Sequence, residues 1–235
     1  MLVRRVEVDA TLDAVEAEQA DVLAVVPVMI QRILAADTGG RDLSSLRIVA
    51  CSGSALPAAV ATACMDRFGD NLYSLYGSTE VGQATLATPE DLRTAPGTAG
   101  RVIPGTVVEI VDDLGDPVPP GDVGHFDADD RLFVTGRADD MIVSGGENVF
   151  PLEVEEVLLA HDDVIDVMVV GVADDEFGQR LATRVVRRPG GSIDEDGIRS
   201  LVATQLARHK VPRDISFVDE LPRNATGKLV RPSST

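Results

Sequence analysis

The sequence predicts an α/β region followed by a small α+β domain, and three observations carry that expectation. The first ~95 residues repeat a short apolar strand, a small-residue loop and a helix, which is the grammar of a mostly parallel sheet. From Gly97 the composition turns to Gly, Pro and Asp with brief Val/Ile runs, as in antiparallel hairpins. After Arg137, helices and strands alternate in a compact unit of about 95 residues. The predicted domains are 1–138 and 139–235, the first a remnant of a larger α/β domain with short β-hairpins.

Each element has a local cause. "ATLDAVEAEQ" reads as a helix, and "ADVLAVVPVMIQRILA" as a buried apolar strand that runs through Pro27 into a second helix. "LRIVACSG" is a short strand ending in small residues, and "PAAVATACMDRFG" a helix closed by Gly69. "NLYSLYGSTEVG" repeats the strand-then-loop pattern. Turns are expected at "DDLGD" and "DADD", with no helix between Gly97 and Arg137. "FPLEVEEVLLAH" starts a helix with Pro151 near its first position and glutamates in its first turns, which suit the helix dipole. "VIDVMVVGV", "LATRVVRR" and "DISFVDEL" are strands. "DEDGIRSLVATQLARH" is an amphipathic helix with Ile198, Leu201, Val202 and Leu206 on one face.

Composition excludes several functions. A formal charge of −18 argues against nucleic acid, whose phosphates need a basic face, and against an anionic membrane surface. No apolar run reaches the roughly 18 residues of a transmembrane segment, and no apolar h-region follows Arg4 and Arg5 as in a signal peptide. Cys51 and Cys64 lack CxxC spacing and stand apart from His125, His161 and His209, so reduced thiols in a cytoplasmic protein are expected. The last segment is locally basic: Arg208, Lys210, Arg213, Arg223, Lys228 and Arg231 face Asp214, Asp219 and Glu220. Such a cluster suits a small polyanionic ligand, and equally a solvated surface.

Four short motifs carry chemistry. "YGSTE", Tyr76 to Glu80, offers a ring, a glycine, two hydroxyls and a carboxylate, a set able to stack on a base, approach a phosphate and hold magnesium through water. By itself it is also an ordinary turn. "CSGSALP" serves equally as the cap of the next helix. "GRADDMIVSGGENVFPLEVEEVL" sets a charged turn, a glycine pair and a helix start in succession. "LPRNATGKLVR" puts Lys228 after a Thr-Gly turn; the strand–GxxxxGK[ST]–helix context of a P-loop is missing, and alone this is a surface lysine.

In this order, Tyr-Gly-x-Thr-Glu, Gly-Arg-x-Asp-Asp with Gly-Gly and Pro-x-Glu-Val-Glu, and Pro-x-x-x-x-Gly-Lys-x-x-Arg resemble the adenylate-forming superfamily, and within it the fatty acyl-CoA synthetases. The resemblance covers essentially the whole chain. It implies a large N-terminal domain and a small mobile lid, which make an acyl-adenylate from a fatty acid and ATP and then rotate to admit coenzyme A. By resemblance, Asp139 is the hinge at which a backbone torsion swings the lid. Gly145 and Gly146 form the loop lining the pantetheine tunnel. Lys228 meets the carboxylate and α-phosphate. Thr79 and Glu80 contact phosphate and magnesium, Tyr76 flanks the adenine with Gly77 beside it as a cofactor-binding candidate, and Asp122 and Arg137 take the ribose. Ser52, Gly53 and Ser54 are further cofactor-binding candidates. "VVPVMIQRIL" resembles an acyl-pocket wall, and equally plain core.

Two departures qualify these expectations. The Gly- and Ser/Thr-rich phosphate loop that precedes these motifs in the family is absent, and Met1 falls midway through the family's N-terminal domain. The family's strands between a Pro-Pro-Gly turn and a Thr-Gly-Asp are missing, with Pro120 in place of the threonine, although Asp122 keeps its spacing of fifteen residues before Arg137. Little or no adenylation is therefore expected of the isolated chain. The alternatives are a relative that binds nucleotide or acyl-CoA without turnover, and a half-enzyme that needs a partner chain or associates with itself.

Overall fold

The structure, a computed structural model, describes residues 7–36, 38, 40–78, 82–108, 121–224 and 227–231. These fall into two compact units, one drawn from residues 7–108 with 126–133, the other from 121–125 and 134–231.

In the first unit, α1 (Val8–Glu18) precedes β1 (Val22–Val25), and Pro27 at the first helical position begins α2 (Pro27–Ala35). Next come β2 (Ile48–Cys51) and α3 (Ala58–Phe68), which Gly69 ends at a φ of 90°. β3 (Leu72–Ser78), β4 (Gly82–Ala87), α4 (Pro89–Thr94) and β5 (Arg101–Val102) follow. The sheet order is β1-β2-β3-β4-β5; β1, β2 and β3 are parallel, while β4 and β5 add antiparallel.

The sheet is therefore mixed, not mostly parallel. The short α4 was signalled by Thr88, whose hydroxyl accepts from the Asp91 N–H while the Asp91 carboxylate accepts from the Thr88 N–H, a capping box. Among the described residues β1 pairs only with β2, and Val22 is 51% exposed beside its register partner Ile48 at 37%. A run that reads as a buried strand is thus a sheet edge. The core sits on the helix side, around Ile30, Val49, Cys51, Val60, Met65 and Leu72.

β6 (Asp122–Phe126) and β7 (Leu132–Arg137) form a hairpin whose turn groups with the first unit and whose open end groups with the second. The predicted "DADD" turn is present. The Asp127 carboxylate accepts from the N–H groups of Asp129 and Arg131, both at 2.9 Å, and Asp130 takes a φ of 59°. "DDLGD" lies outside the described residues.

The second unit continues with a 3-10 turn (Ala138–Asp140), β8 (Ile142–Ser144), β9 (Glu147–Val149) and α5 (Pro151–Leu159). β10 (Val164–Asp174), β11 (Gly178–Arg187), α6 (Glu195–Gln205), a 3-10 turn (Arg208–Lys210) and β12 (Asp214–Phe217) complete it. β11 is the central strand, antiparallel to β10 and β8 and parallel to β12. Both helices pack their apolar stripes on this sheet through Val154, Leu158, Ile198 and Val202, all fully buried. Burial of each such side chain contributes about 1.5–3 kcal/mol. Asp194 caps α6, its carboxylate accepting from the Gly197 N–H at 2.8 Å.

Candidate functional site

Because β2 and β3 are parallel neighbours in register (Cys51 opposite Ser74), the segments leaving their C-terminal ends emerge together. Ser52, Gly53 and Ser54 are exposed there, with the Ser52 N–H donating to the Val25 carbonyl at 3.1 Å. Gly53 has a φ of 92°, and a Cβ on it would lie 3.2 Å from Val26 Cγ1. Tyr76 is half-buried, and Gly77 and Ser78 are exposed. These three belong to β3, paired with β4 across a bulge between Tyr76 and Gly77, not to a free loop. A Cβ on Gly77 would stand 2.0 Å from the Gly82 carbonyl oxygen, so the hairpin itself requires this glycine. Thr79 and Glu80 lie outside the described residues. Among the described residues no group of three or more His, Cys, Asp or Glu is placed to hold a metal ion.

Further down the same sheet, Leu23, Val25, Ile30 and Ile33 line an apolar void of about 20 Å³. That is room for one or two water molecules, and Val25, Ile30 and Ile33 of "VVPVMIQRIL" pack around it.

In the second unit Arg137 is a hub. Its Nε and Nη2 both donate to the Asp139 carboxylate at 2.8 Å, and its Nη1 reaches Asp122 at 3.3 Å. Hydrogen bonding from Arg137 is the main reason the Asp139 carboxyl titrates below the usual range, and the charge of Lys228 adds to it. The structure thus brings Asp122, Arg137 and Asp139 together, with Lys228 close enough for its charge to be felt.

Gly145 and Gly146 are the two-residue turn between β8 and β9, where Ser144 is paired with Glu147. Their φ values of 63° and 84° are those of a type I′ turn, which demands a left-handed backbone at both positions. The Gly145 N–H donates to the Phe177 carbonyl at 2.9 Å, and a Cβ on Gly145 would lie 3.1 Å from the Phe177 ring.

This turn borders a feature that sequence reasoning did not assemble. Gly145, Phe177, Arg180, Arg199, Arg208 and Arg213 line an open groove of about 960 Å³. Arg213 stacks 4.1 Å above the Phe177 ring and reaches Asp174 at 3.8 Å. Arg180 is held by Asp214 at 2.9 Å and Asp174 at 3.3 Å, and Arg199 by Glu195 and Asp196. The basic end of the chain hinted at Arg208 and Arg213. Arg180 and Arg199 look ordinary in their strand and helix, and only the fold adds them. Four arginines thus line the groove, three of them held by carboxylates at its rim, and Glu147 lines it as well.

The chain is thus an α/β unit with small-residue segments at its strand ends and an α+β unit that carries an Arg–Asp hub and an exposed lysine. The chain belongs to the AMP-binding enzyme family: residues 1–126 match that family and residues 153–228 match the AMP-binding enzyme C-terminal domain. Indoleacetate–CoA ligase of Aromatoleum aromaticum is 32% identical over 260 residues, covering 95% of this chain and 51% of that protein. The amide bond synthetase McbA from Marinactinospora thermotolerans superimposes with a TM-score of 0.87 at 30% identity, over 97% of this chain and 54% of its own. The anthranilate CoA ligase AuaEII, solved with anthranoyl-AMP, gives 0.84 at 28% identity, over 94% and 50%. The chain spans about half the length of the curated relatives it matches. Among the described residues no helix is long and apolar enough to cross a membrane.

Proposed function

We propose that the chain carries the nucleotide contacts, hinge and lid of a carboxylic acid–CoA ligase, which activates its acid as an acyl-adenylate and then forms the CoA thioester. The carrying observation is the arginine-lined groove that Gly145 of the β8–β9 turn borders. Coenzyme A is a thin chain ending in a phosphorylated nucleotide. An arginine-rich groove fits that polyanionic end, and a side-chain-free turn beside it suits the chain. ATP is the second substrate: Tyr76 and Gly77 toward the base, Asp122 and Arg137 toward the ribose, and the Ser52–Gly53–Ser54 segment nearby on the sheet edge. Magnesium is assigned to Glu80, and Thr79 to phosphate. Lys228, exposed on its loop, offsets the negative charge that builds between carboxylate and α-phosphate. Asp139 is the torsional hinge.

The acid is proposed to have an apolar body. The motifs resemble those of fatty acid enzymes, while the named relatives use indoleacetate and anthranilate, which favours an aromatic acid. In a second reading these residues, which cover 51% of the indoleacetate–CoA ligase they resemble, bind nucleotide or acyl-CoA without turnover of their own.

The test is calorimetric titration with adenosine 3′,5′-bisphosphate, the nucleotide end of coenzyme A. The chain should bind it, and Arg213→Glu or Arg199→Glu should abolish binding. Failure of the unmodified chain to bind, or equal binding by the charge-reversed variants, would refute the assignment. Since positioning of the triphosphate can account for roughly 7–11 kcal/mol of such a barrier, these residues alone should give negligible ATP–pyrophosphate exchange with either dodecanoic or benzoic acid. Ready exchange would favour the complete-enzyme reading over the second.

A further inference from the structure

Lys228 is exposed and sits near the end of the described chain, yet its backbone is tied at every point. Its N–H donates to Asn224 Oδ1 at 2.9 Å, and its carbonyl accepts from the Asn224 N–H at 2.9 Å. The Gly227 N–H closes the turn onto the Asn224 carbonyl at 3.0 Å, Gly227 having a φ of 83°. Arg223 and Leu229 bridge the two legs, and the Val230 N–H donates to the Pro222 carbonyl at 2.9 Å.

Two arginines fasten these legs to the body of the unit. On the first leg, Arg223 Nη2 meets Asp166 of β10 at 2.6 Å, with side-chain exposures of 15% and 12%, and its Nη1 donates to the Gly227 carbonyl at 2.7 Å. On the second leg, Arg231 forks onto Glu155 of α5 at 2.8 and 3.0 Å, where the Glu155 side chain is only 5% exposed. Arg231 also donates to the Val169 carbonyl of β10 at 2.6 Å, while Glu155 accepts from the Val169 N–H at 2.8 Å. Its Nε lies 3.6 Å from Asp140, the neighbour of Asp139 in the hinge turn.

Buried ion pairs contribute little net stability compared with apolar packing of the same volume, so stability alone is a weak reason for two of them to flank one short loop. What a planar, bidentate guanidinium supplies is geometry. We propose that Arg231, with Arg223, is a positioning residue for Lys228. The two clamps hold the loop so that the ammonium keeps one place relative to the Ala138–Asp140 turn, and Arg231 makes a direct contact between that turn and the lysine-bearing leg. This rests on the acid–CoA ligase reading for what Lys228 does, but not for where the loop is held.

Two measurements on the full chain test it. The first is hydrogen exchange in Arg231→Lys, which keeps the charge and loses the fork, and in the paired Arg231→Met/Glu155→Met, which removes both buried charges. The amides of Gly227, Lys228 and Val230 should exchange at least about tenfold faster while β10 and β11 keep their protection. Unchanged protection in the loop, or a uniform loss across β10 and β11, would overturn the proposal. Should the paired variant not fold, Arg231→Lys decides alone. The second is binding of dodecanoyl- and benzoyl-sulfamoyladenosine, stable mimics of an acyl-adenylate. If Arg231 acts through Lys228, Arg231→Lys should weaken binding about tenfold when Lys228 is present and less than about twofold in a Lys228→Ala background. Additive losses would overturn the coupling. If the unmodified chain binds neither mimic, the ligase reading fails while the exchange experiment still decides the clamp.

Discussion

Exchanging Gly145 and Gly146 for alanine, one at a time, separates two demands that the β8–β9 turn makes. Both glycines hold a left-handed backbone, so each alanine costs about 1 kcal/mol of conformational strain. The two sites differ in what the new methyl group meets. At Gly146 nothing lies within 4 Å, whereas at Gly145 the methyl sits 3.1 Å from Phe177 Cδ1. To reach an ordinary contact of about 3.5 Å, the ring must retreat a few tenths of an ångström, and the guanidinium of Arg213 stands over that ring, 4.1 Å from its centroid. Gly146→Ala should therefore lower the melting temperature of the second unit by roughly 4 °C and leave the groove intact. Gly145→Ala should cost at least as much and also weaken adenosine 3′,5′-bisphosphate several-fold, because it moves the platform on which Arg213 rests. Scanning calorimetry and titration on the same samples measure both effects. Equal ligand affinity in the two variants would refute the link from the turn through Phe177 to the groove.

Three further outcomes are expected. The carboxylate of Asp163 accepts from the N–H groups of Ser192 and Ile193 at 2.8 and 2.9 Å, and chiefly the Ser192 bond depresses its pKa below the ordinary 3.8. A depressed carboxyl stabilises the fold above its unfolded pKa and loses that contribution as pH falls through the folded value. The melting-temperature gap between the unmodified chain and Asp163→Asn should thus be fully open at neutral pH and close in the acid range below 3.8; a gap independent of pH would contradict this. Leu158→Ala, at a fully buried position of α5, should cost about 2–5 kcal/mol in chemical denaturation, and a loss below 1 kcal/mol would mean the site collapses around the cavity. β1, at the edge of its sheet among the described residues, with the exposed Val22 and its neighbour Ile48, should make the chain associate and bind a hydrophobic dye at micromolar concentration, with Val22→Lys reducing both. A monodisperse 24.9 kDa species without dye binding would show that this edge is harmless.

Elements punctuated by proline and glycine were legible in the sequence: Pro27 and Pro151 each open a helix and Gly69 closes one, because these residues restrict or free the backbone whatever surrounds them. The antiparallel half of the first sheet was not, since β3 gives no sign of which neighbour it will take. Gly77 shows how a right residue can have a second reason: read as room for a phosphate, it is required by the carbonyl of Gly82. Asp122 and Arg137 were read together from their spacing and the family resemblance, while Asp139 was read separately as a hinge; that one guanidinium holds both carboxylates only the fold shows. The groove was not legible, because Arg180, Arg199 and Arg213 come from a strand, a helix and a loop that only tertiary packing gathers. The clamp on Glu155 was equally hidden, with 76 residues separating it from Arg231.

The two thiols buried beneath the first sheet have a practical use. Burial pushes Cys51 up to about 12 and Cys64 to about 11, so at neutral pH about one Cys64 thiol in ten thousand is ionised. Maleimide probes need the thiolate and a path to it, and neither native cysteine offers them. One cysteine introduced on the exposed face of α6 and another beside Ser54 can therefore be labelled in the unaltered background. Energy transfer between the two dyes would then test the proposed rotation about Asp139 as ATP and coenzyme A are added in turn.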